Sequence, residues 1–355
     1  MAGFDLTFSP VKSVSTLWAV ADPKTAAVIE RAHQSAIKDA LDFIEQRALF
    51  TRMGTNGVRQ VNVRGLVATA FTHRDSRAGD PDLHTHVAVA NKVQTLDGKW
   101  RAIDGRVLFK ATVAASETYN TALERHLVDA LGVRFAERPN PDARKRPVRE
   151  IVGVEADLNH RFSKRRTSVE DRRKVLAAQF QASHGRPPTP VETLHLAQQA
   201  TLQTREAKHE PRSLAEQRQA WHTEAVEVLG GGMKGAQRLK QIVHGALNPA
   251  AAARSLADSA WFSGAADRVV TAMEGGRASW QYWHVYAEAQ RQVRGAHVPT
   301  NQVSTVVDLL VSEVLDARSV SRAPPTRSAS RPSCAASTAH PSTPWRARTC
   351  SPQPR

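Results

Sequence analysis

Three histidines fall within the stretch HRDSRAGDPDLHTHVAVANKV, residues 73–93: His73, then His84 and His86 with one threonine between them. Neutral imidazole nitrogens are good ligands for divalent ions, and three of them leave coordination positions open on the metal. Open positions admit water or substrate, so a converging trio reads as a catalytic rather than a structural metal site. A lone histidine is more often a surface or hydrogen-bonded core residue. H-x-H pairs also occur in cupin-like barrels acting on small molecules, so the spacing by itself leaves the substrate open.

Convergence depends on the elements that carry the rings. Side chains i and i+2 of a strand share a face, so a strand over 83–95 projects His84 and His86 together, with Thr85 on the other side. VRQVNVRGLVATAFTHR, residues 58–74, reads as one or two strands bent at Gly65, ending near His73. Antiparallel pairing across the loop 74–83 brings His73 onto the same face. FDLTFS forms a short strand that stops at Pro10, LDGK at 96–99 is a hairpin signal, and WRAIDGRVL continues the sheet. Val28, Ala32, Ile37, Leu41 and Ile44 lie at helical spacing and predict a helix over 23–48, capped by Asp22 with Pro23 at its first position. A second helix spans 111–132 and ends at Gly132. Helices dominate from about 165, with capping boxes at Thr189 and Ser213. The helix opened at Ser213 stops at glycines 230–232, and later helices are expected over 265–274, 279–294 and 301–316. The fold class is therefore α+β, an antiparallel sheet with flanking helices followed by a mainly helical region.

The chain has 355 residues and a formal charge of +15. Residues 318–355 hold seven arginines and no acid, and with seven prolines and eight serines they have too little apolar surface to order themselves. A disordered basic tail is expected there, or out-of-frame translation after a frameshift. The body keeps a moderate basic excess, which suits a polyanionic partner, most often nucleic acid. Both cysteines, Cys334 and Cys350, lie in the tail, so the body offers no disulfide and no cysteine metal site. No apolar run is long enough to span a membrane, and the first residues, MAGFDLTFSPVKSVS, lack the apolar core of a signal peptide; a cytoplasmic protein is expected. GGGMKGAQ, residues 230–237, lacks the spacing and trailing hydroxyl of a G-x-x-x-x-G-K-[ST] phosphate loop, so ATPase activity is not expected.

GFDLTFSPVKSVS (3–15), FTHRDSRAGDPDLHTHVAVAN (71–91) and DGKWRAIDGRVLF (97–109) together resemble the conjugative relaxases of the TrwC/TraI type, the MobF family of HUH endonucleases. The family pattern runs D-L-T-F-S-x-x-K-S-V-S, then H-x-x-S-R with D-P-x-L-H-T-H, then a tryptophan-containing hairpin, and all three are met in order. The likeness covers roughly residues 3–230, and more weakly the helices to about 317. It implies a palm-like antiparallel sheet and metal-dependent nicking and transesterification of single-stranded DNA at an origin of transfer, with the conjugation machinery as a further partner. It assigns His73, His84 and His86 to a divalent ion, Mg²⁺ or Mn²⁺ with Zn²⁺ as a further option. It gives Asp5 the task of orienting or activating the nucleophile and a metal-site histidine. Lys12, Arg74 and Arg77, then RKR at 144–146 and KRR at 164–166, are candidate phosphate contacts, and Trp100 or Phe109 could stack on bases. Asp75 departs from the family, where threonine is frequent, and puts an acid near the site.

Relaxases of this type attack DNA with a tyrosine upstream of D-L-T-F-S. The tyrosines of this chain are Tyr119, Tyr282 and Tyr286, and none precedes Asp5. Helical spacing reads all three as packing residues. The expected organisation is a TrwC-type relaxase domain over 1–230 lacking its tyrosine segment, a helical region over 231–317 leading toward a missing helicase, and the tail. Two alternatives stand beside it: a non-catalytic single-stranded-DNA-binding remnant, and a cupin-like metalloenzyme with no affinity for DNA.

Overall fold

The computed structural model describes residues 2–139, 146–207, 210, 212–249, 258–296, 298–321 and 344–347. β1 (Gly3–Phe8) leads into α1 (Lys12–Val20) and the long α2 (Pro23–Arg47). β2 (Phe50–Met53), β3 (Arg59–Asn62), β4 (Ala68–Asp75), β5 (Pro81–Ala90), β6 (Val93–Gln94) and β7 (Trp100–Arg101) precede α3 (Gly105–Leu131). β8 (Phe135–Glu137) and β9 (Arg149–Ile151) pair ahead of α4 (Ala156–Arg161), α5 (Lys164–His184), α6 (Pro190–Gln203), α7 (Leu214–Val228) and α8 (Gly232–Leu247). Then come α9 (Ser259–Glu274), β10 (Trp280–Gln281), α10 (Tyr282–Gly295) and α11 (Val303–Ser312). Of the tail, β11 (Ser319–Ser321) and β12 (Pro344–Ala347) pair into a small sheet with β10. Residues 322–343 and 348–355 of the tail, where disorder is expected, lie outside the described residues, as do Arg144 and Lys145.

The central sheet has the order β1-β5-β4, antiparallel throughout. β5 alternates cleanly: Pro81, Leu83, Thr85, Val87 and Val89 are buried, while Asp82, His84, His86 and Ala88 lie on the other, open side. This is the period-2 pattern of a strand with one face on a core. The core face rests on α2 and α3. The buried stripe of α2 is lined by Ala26, Ala32, Ala36 and Ala40 with Ile29, Ile37, Phe43 and Ile44, and its small side chains let α3 approach closely. Asp22 caps α2, accepting from the amides of Lys24 and Thr25, as the sequence predicts.

Two stretches differ from expectation. α1 was not anticipated; it is almost wholly buried from Ser13 to Ala19. The sheet does not continue through WRAIDGRVL: β7 covers Trp100–Arg101 and α3 already starts at Gly105, with Asp104 accepting from the Arg106 amide. Val107, Leu108 and Ala111 are buried, a helical spacing that makes this turn part of the core. The 58–74 stretch is two strands of different sheets, β3 pairing with β2 and β4 with β5. Gly65 lies between them, where a Cβ would come 2.7 Å from Glu45 Oε1, the acceptor of the Leu66 amide.

Within this core sits a buried polar chain. His33 of α2 is fully buried, with Nδ1 2.8 Å from the Tyr119 hydroxyl of α3 and Nε2 2.9 Å from Thr85 Oγ1 of β5. Burial, then the neighbouring His84, pushes the His33 pKa down to about 4 from 6.5. The unfolded chain therefore gains a proton between pH 6.5 and about 4 that the folded chain does not, so stability falls with pH in that window. The loss attributable to His33 should level off near about 3 kcal/mol. Urea unfolding at pH 7, 5.5 and 4 should give a steeper fall for the wild type than for His33→Gln, which cannot charge; equal slopes would remove His33 from the account.

The C-terminal helices share the core rather than trailing from it. Phe43 of α2 lies against Trp283 and Tyr286 of α10. Glu117 of α3 pairs with Arg291 and Arg294, and Arg47 of α2 bonds Tyr282 and Asp308.

Candidate metal centre

β4 and β5 place His73 directly opposite His84, so the two side chains leave the same face; the next cross-strand row is Thr7, His86 and Phe71. The loop 74–83 closes this hairpin, as antiparallel pairing of the two sequence segments requires. The three imidazoles form a nearly equilateral triangle with ring centroids 5.2, 5.3 and 5.4 Å apart. An ion held at about 2.1 Å by three imidazole nitrogens at tetrahedral angles would set the centroids about 5 Å apart, so the spacing fits a divalent ion.

The second nitrogens fit as well. His84 Nδ1 donates to the Asp82 carbonyl at 2.8 Å, and His86 Nδ1 donates to the Asp5 carboxylate at 2.9 Å, with Thr7 Oγ1 3.1 Å away. Metal-binding histidines characteristically donate the other ring N–H to a carbonyl or carboxylate, and here both contacts leave Nε2 as the ligand atom. Ring orientation is less complete. His73 and His84 lie within 15° of parallel, and among the described residues no group of three or more His, Cys, Asp or Glu side chains is set closely enough to hold an ion. Closing the trio on a cation requires a ring to turn, while the backbone is already in register.

The loop that joins β4 to β5 is clamped from behind. Asp80 is buried and accepts from the Arg165 amide of α5 at 3.1 Å; burial raises its pKa, and Lys12 and Lys164 pull it the other way. Trp221 of α7 donates Nε1–H to the Gly79 carbonyl at 2.8 Å, and Gln217 donates to Asp75 at 2.9 Å. Arg212 lies 3.7 Å from the same Asp75 carboxylate, so α7 and its approach engage this acid. Of the candidate phosphate contacts, Arg74 is exposed. Lys12 donates to the Pro81 carbonyl at 2.7 Å, and burial lowers its pKa. Arg77 donates to the Glu206 carbonyl at 3.0 Å, and Arg165 donates to Thr201 and Thr204. The sequence reading overlooked Phe71, an exposed ring in the row of His86, and His33; a histidine on the apolar stripe of α2 and a threonine at an inward position of β5 were the available signals.

None of the three tyrosines lies on the open face. Tyr119 is on the core side of β5, and burial raises its hydroxyl pKa well above the usual value. Tyr282 and Tyr286 sit on α10 with Arg47 and Phe43, and burial raises both pKa values too.

Fold and site define an α+β protein whose antiparallel sheet presents an aspartate-supported trio of histidines on an uncovered face. The TrwC relaxase family profile matches residues 1–228, and the chain belongs to that family. The multifunctional conjugation protein TraI of Escherichia coli is 34% identical over an alignment of 182 residues that covers 45% of this chain and 10% of that protein. The chain thus spans about a tenth of the length of the curated relatives it matches. Among solved structures, the metal-bound conjugative relaxase TrwC in complex with oriT DNA is 30% identical, with a TM-score of 0.52 over 64% of this chain and 72% of that one. TrwC complexed with a 27-mer DNA comprising the recognition hairpin and the cleavage site is 31% identical, with a TM-score of 0.51 over 64% and 74%. Among the described residues, no helix is long and apolar enough to cross a membrane.

Proposed function

We propose that residues 1–230 form a relaxase domain that binds single-stranded DNA at an origin of transfer around a divalent ion held by His73, His84 and His86, and that residues 231–317 continue it as a helical region. The observation that carries this reading is the imidazole triangle on the open sheet face, with Nδ1 of His84 and His86 already engaged. When bound, the ion supplies Lewis acidity at a non-bridging oxygen of the phosphate. Asp5 fixes the tautomer and ring plane of His86. Phe71, 54% exposed, and Trp100, 58% exposed, offer faces on which unpaired bases can stack. A cleft of about 490 Å³ is lined by Lys12, Arg165, Arg166 and Arg173, with Asp80, Asp82 and Glu170 between them, and its cations can meet the backbone.

The attacking hydroxyl is not one of the three tyrosines: Tyr119 is buried on the other side of the sheet, and Tyr282, partly buried, and Tyr286, buried, lie on α10. Strand transfer at this site therefore needs a hydroxyl from outside these three side chains. The test is fluorescence anisotropy and a covalent-adduct gel with a single-stranded origin oligonucleotide, with and without Mn²⁺. Binding should weaken by more than about tenfold between about 50 and about 200 mM salt, with no adduct. Absence of DNA affinity at low salt would favour a small-molecule metalloenzyme, and an adduct on Tyr119, Tyr282 or Tyr286 would overturn the assignment of the nucleophile.

A further inference from the structure

Behind the imidazole trio runs a buried polar chain that the proposed chemistry does not use. β5 turns Leu83, Thr85, Val87 and Val89 inward, and Thr85 alone of these four is polar. Its Oγ1 lies 2.9 Å from His33 Nε2 and 3.0 Å from Thr72 Oγ1. His33 Nδ1 lies 2.8 Å from the Tyr119 hydroxyl, and at the exposed end of the chain Gln34 Nε2 donates to Thr72 at 3.1 Å. One polarity satisfies every buried group: Tyr119 O–H donates to Nδ1, Nε2–H donates to Thr85, and Thr85 O–H donates to Thr72. A valine at position 85 would fill the same space without a hydroxyl to desolvate, so apolar burial does not account for the threonine.

Position does account for it. Thr85 stands between His84 and His86, and Thr72 precedes His73 and pairs with Thr85 in register. A slip of one residue in β5 would send both ligand histidines into the core and expose Leu83 and Val87. The hydroxyl pair locks β4 to β5 next to the His73–His84 pair, and His33 and Tyr119 tie that lock to α2 and α3.

We infer that His33, Thr85 and Tyr119 are positioning residues that hold the ligand strands in the register and tilt at which the three imidazoles share one ion. The inference rests on the metal-site reading above. It is tested on the full chain by titrating free Mn²⁺, followed by its electron paramagnetic resonance signal, with a thermal melt for each variant. Thr85→Val should weaken Mn²⁺ binding by about tenfold, the scale of outer-shell losses. Tyr119→Phe should move it the same way by less, and Thr85→Ser should return it to wild type. Leu127→Ala, a fully buried change on α3, should lower the melting temperature yet keep the affinity. Should Thr85→Val fail to fold, Tyr119→Phe makes the same comparison. Wild-type affinity in both hydroxyl variants, or a loss in Leu127→Ala as large as theirs, would overturn the inference. A wild type that does not bind Mn²⁺ would instead remove the metal site itself, and the positioning role with it.

Discussion

Replacing His86 by alanine is expected to lower Mn²⁺ affinity by at least about 100-fold, beyond what losing an outer-shell partner costs, while leaving the melting temperature nearly unchanged. The asymmetry follows from where the ring sits. Its side chain is 35% exposed on the open sheet face, so its removal leaves no cavity in the core, and exposed substitutions of this kind usually stay within about 0.5 kcal/mol. The same change takes away one of three ligands and strands the Asp5 carboxylate beside the remaining pair. His84→Ala should lose Mn²⁺ affinity to the same degree, because its ring meets both partners at 5.2 and 5.3 Å. Asp5→Asn keeps all three rings and should fall between, near about tenfold, since it loosens only the tautomer and plane of His86. Affinity for single-stranded DNA without metal should persist in all three variants, because backbone contacts come from the cations. Wild-type Mn²⁺ affinity in His86→Ala would place the ion elsewhere.

The trio was legible because its geometry is local. Period 2 sets His84 and His86 on one face whatever surrounds the strand, and a short loop leaves antiparallel pairing as the economical way to bring His73 beside them. Asp22 and Pro23 marked the start of α2 for an equally local reason. What escaped the reading depends on partners far away in the chain. α1 has no side-chain cap and is rich in β-branched and hydroxyl residues, so propensity argues against a helix. It forms because its hydroxyls are engaged elsewhere: Ser13 accepts from the Ile151 amide, Ser15 from Leu83, and Thr16 donates to Asn159. These contacts also seat α1 against the inner side of β5, so the element hardest to foresee helps to position the histidines. His33 was missed for the same reason, since a histidine on a helix stripe acquires meaning only when Thr85 and Tyr119 arrive from other elements.

The clamp on the 74–83 loop predicts the largest loss of stability near the site. Trp221 is 1% exposed, packs against Trp18 with ring centroids 5.4 Å apart, and donates to the Gly79 carbonyl. Trp221→Ala removes the ring from both and should destabilise the protein by about 3–5 kcal/mol, measured by urea unfolding. Trp221→Phe keeps much of the packing and deletes the donor, leaving the Gly79 carbonyl without it, for a cost of about 1–2 kcal/mol. The two variants separate packing from anchoring. Packing with Trp18 supports α1, whereas the hydrogen bond to Gly79 holds the loop whose ends carry His73 and His84. Trp221→Phe should therefore weaken Mn²⁺ binding out of proportion to its small effect on unfolding, because the loop can open without the core melting. Metal affinity that simply follows stability across Trp221→Phe, Trp221→Ala and a remote core variant would mean that α7 supports the fold and does nothing further for the site.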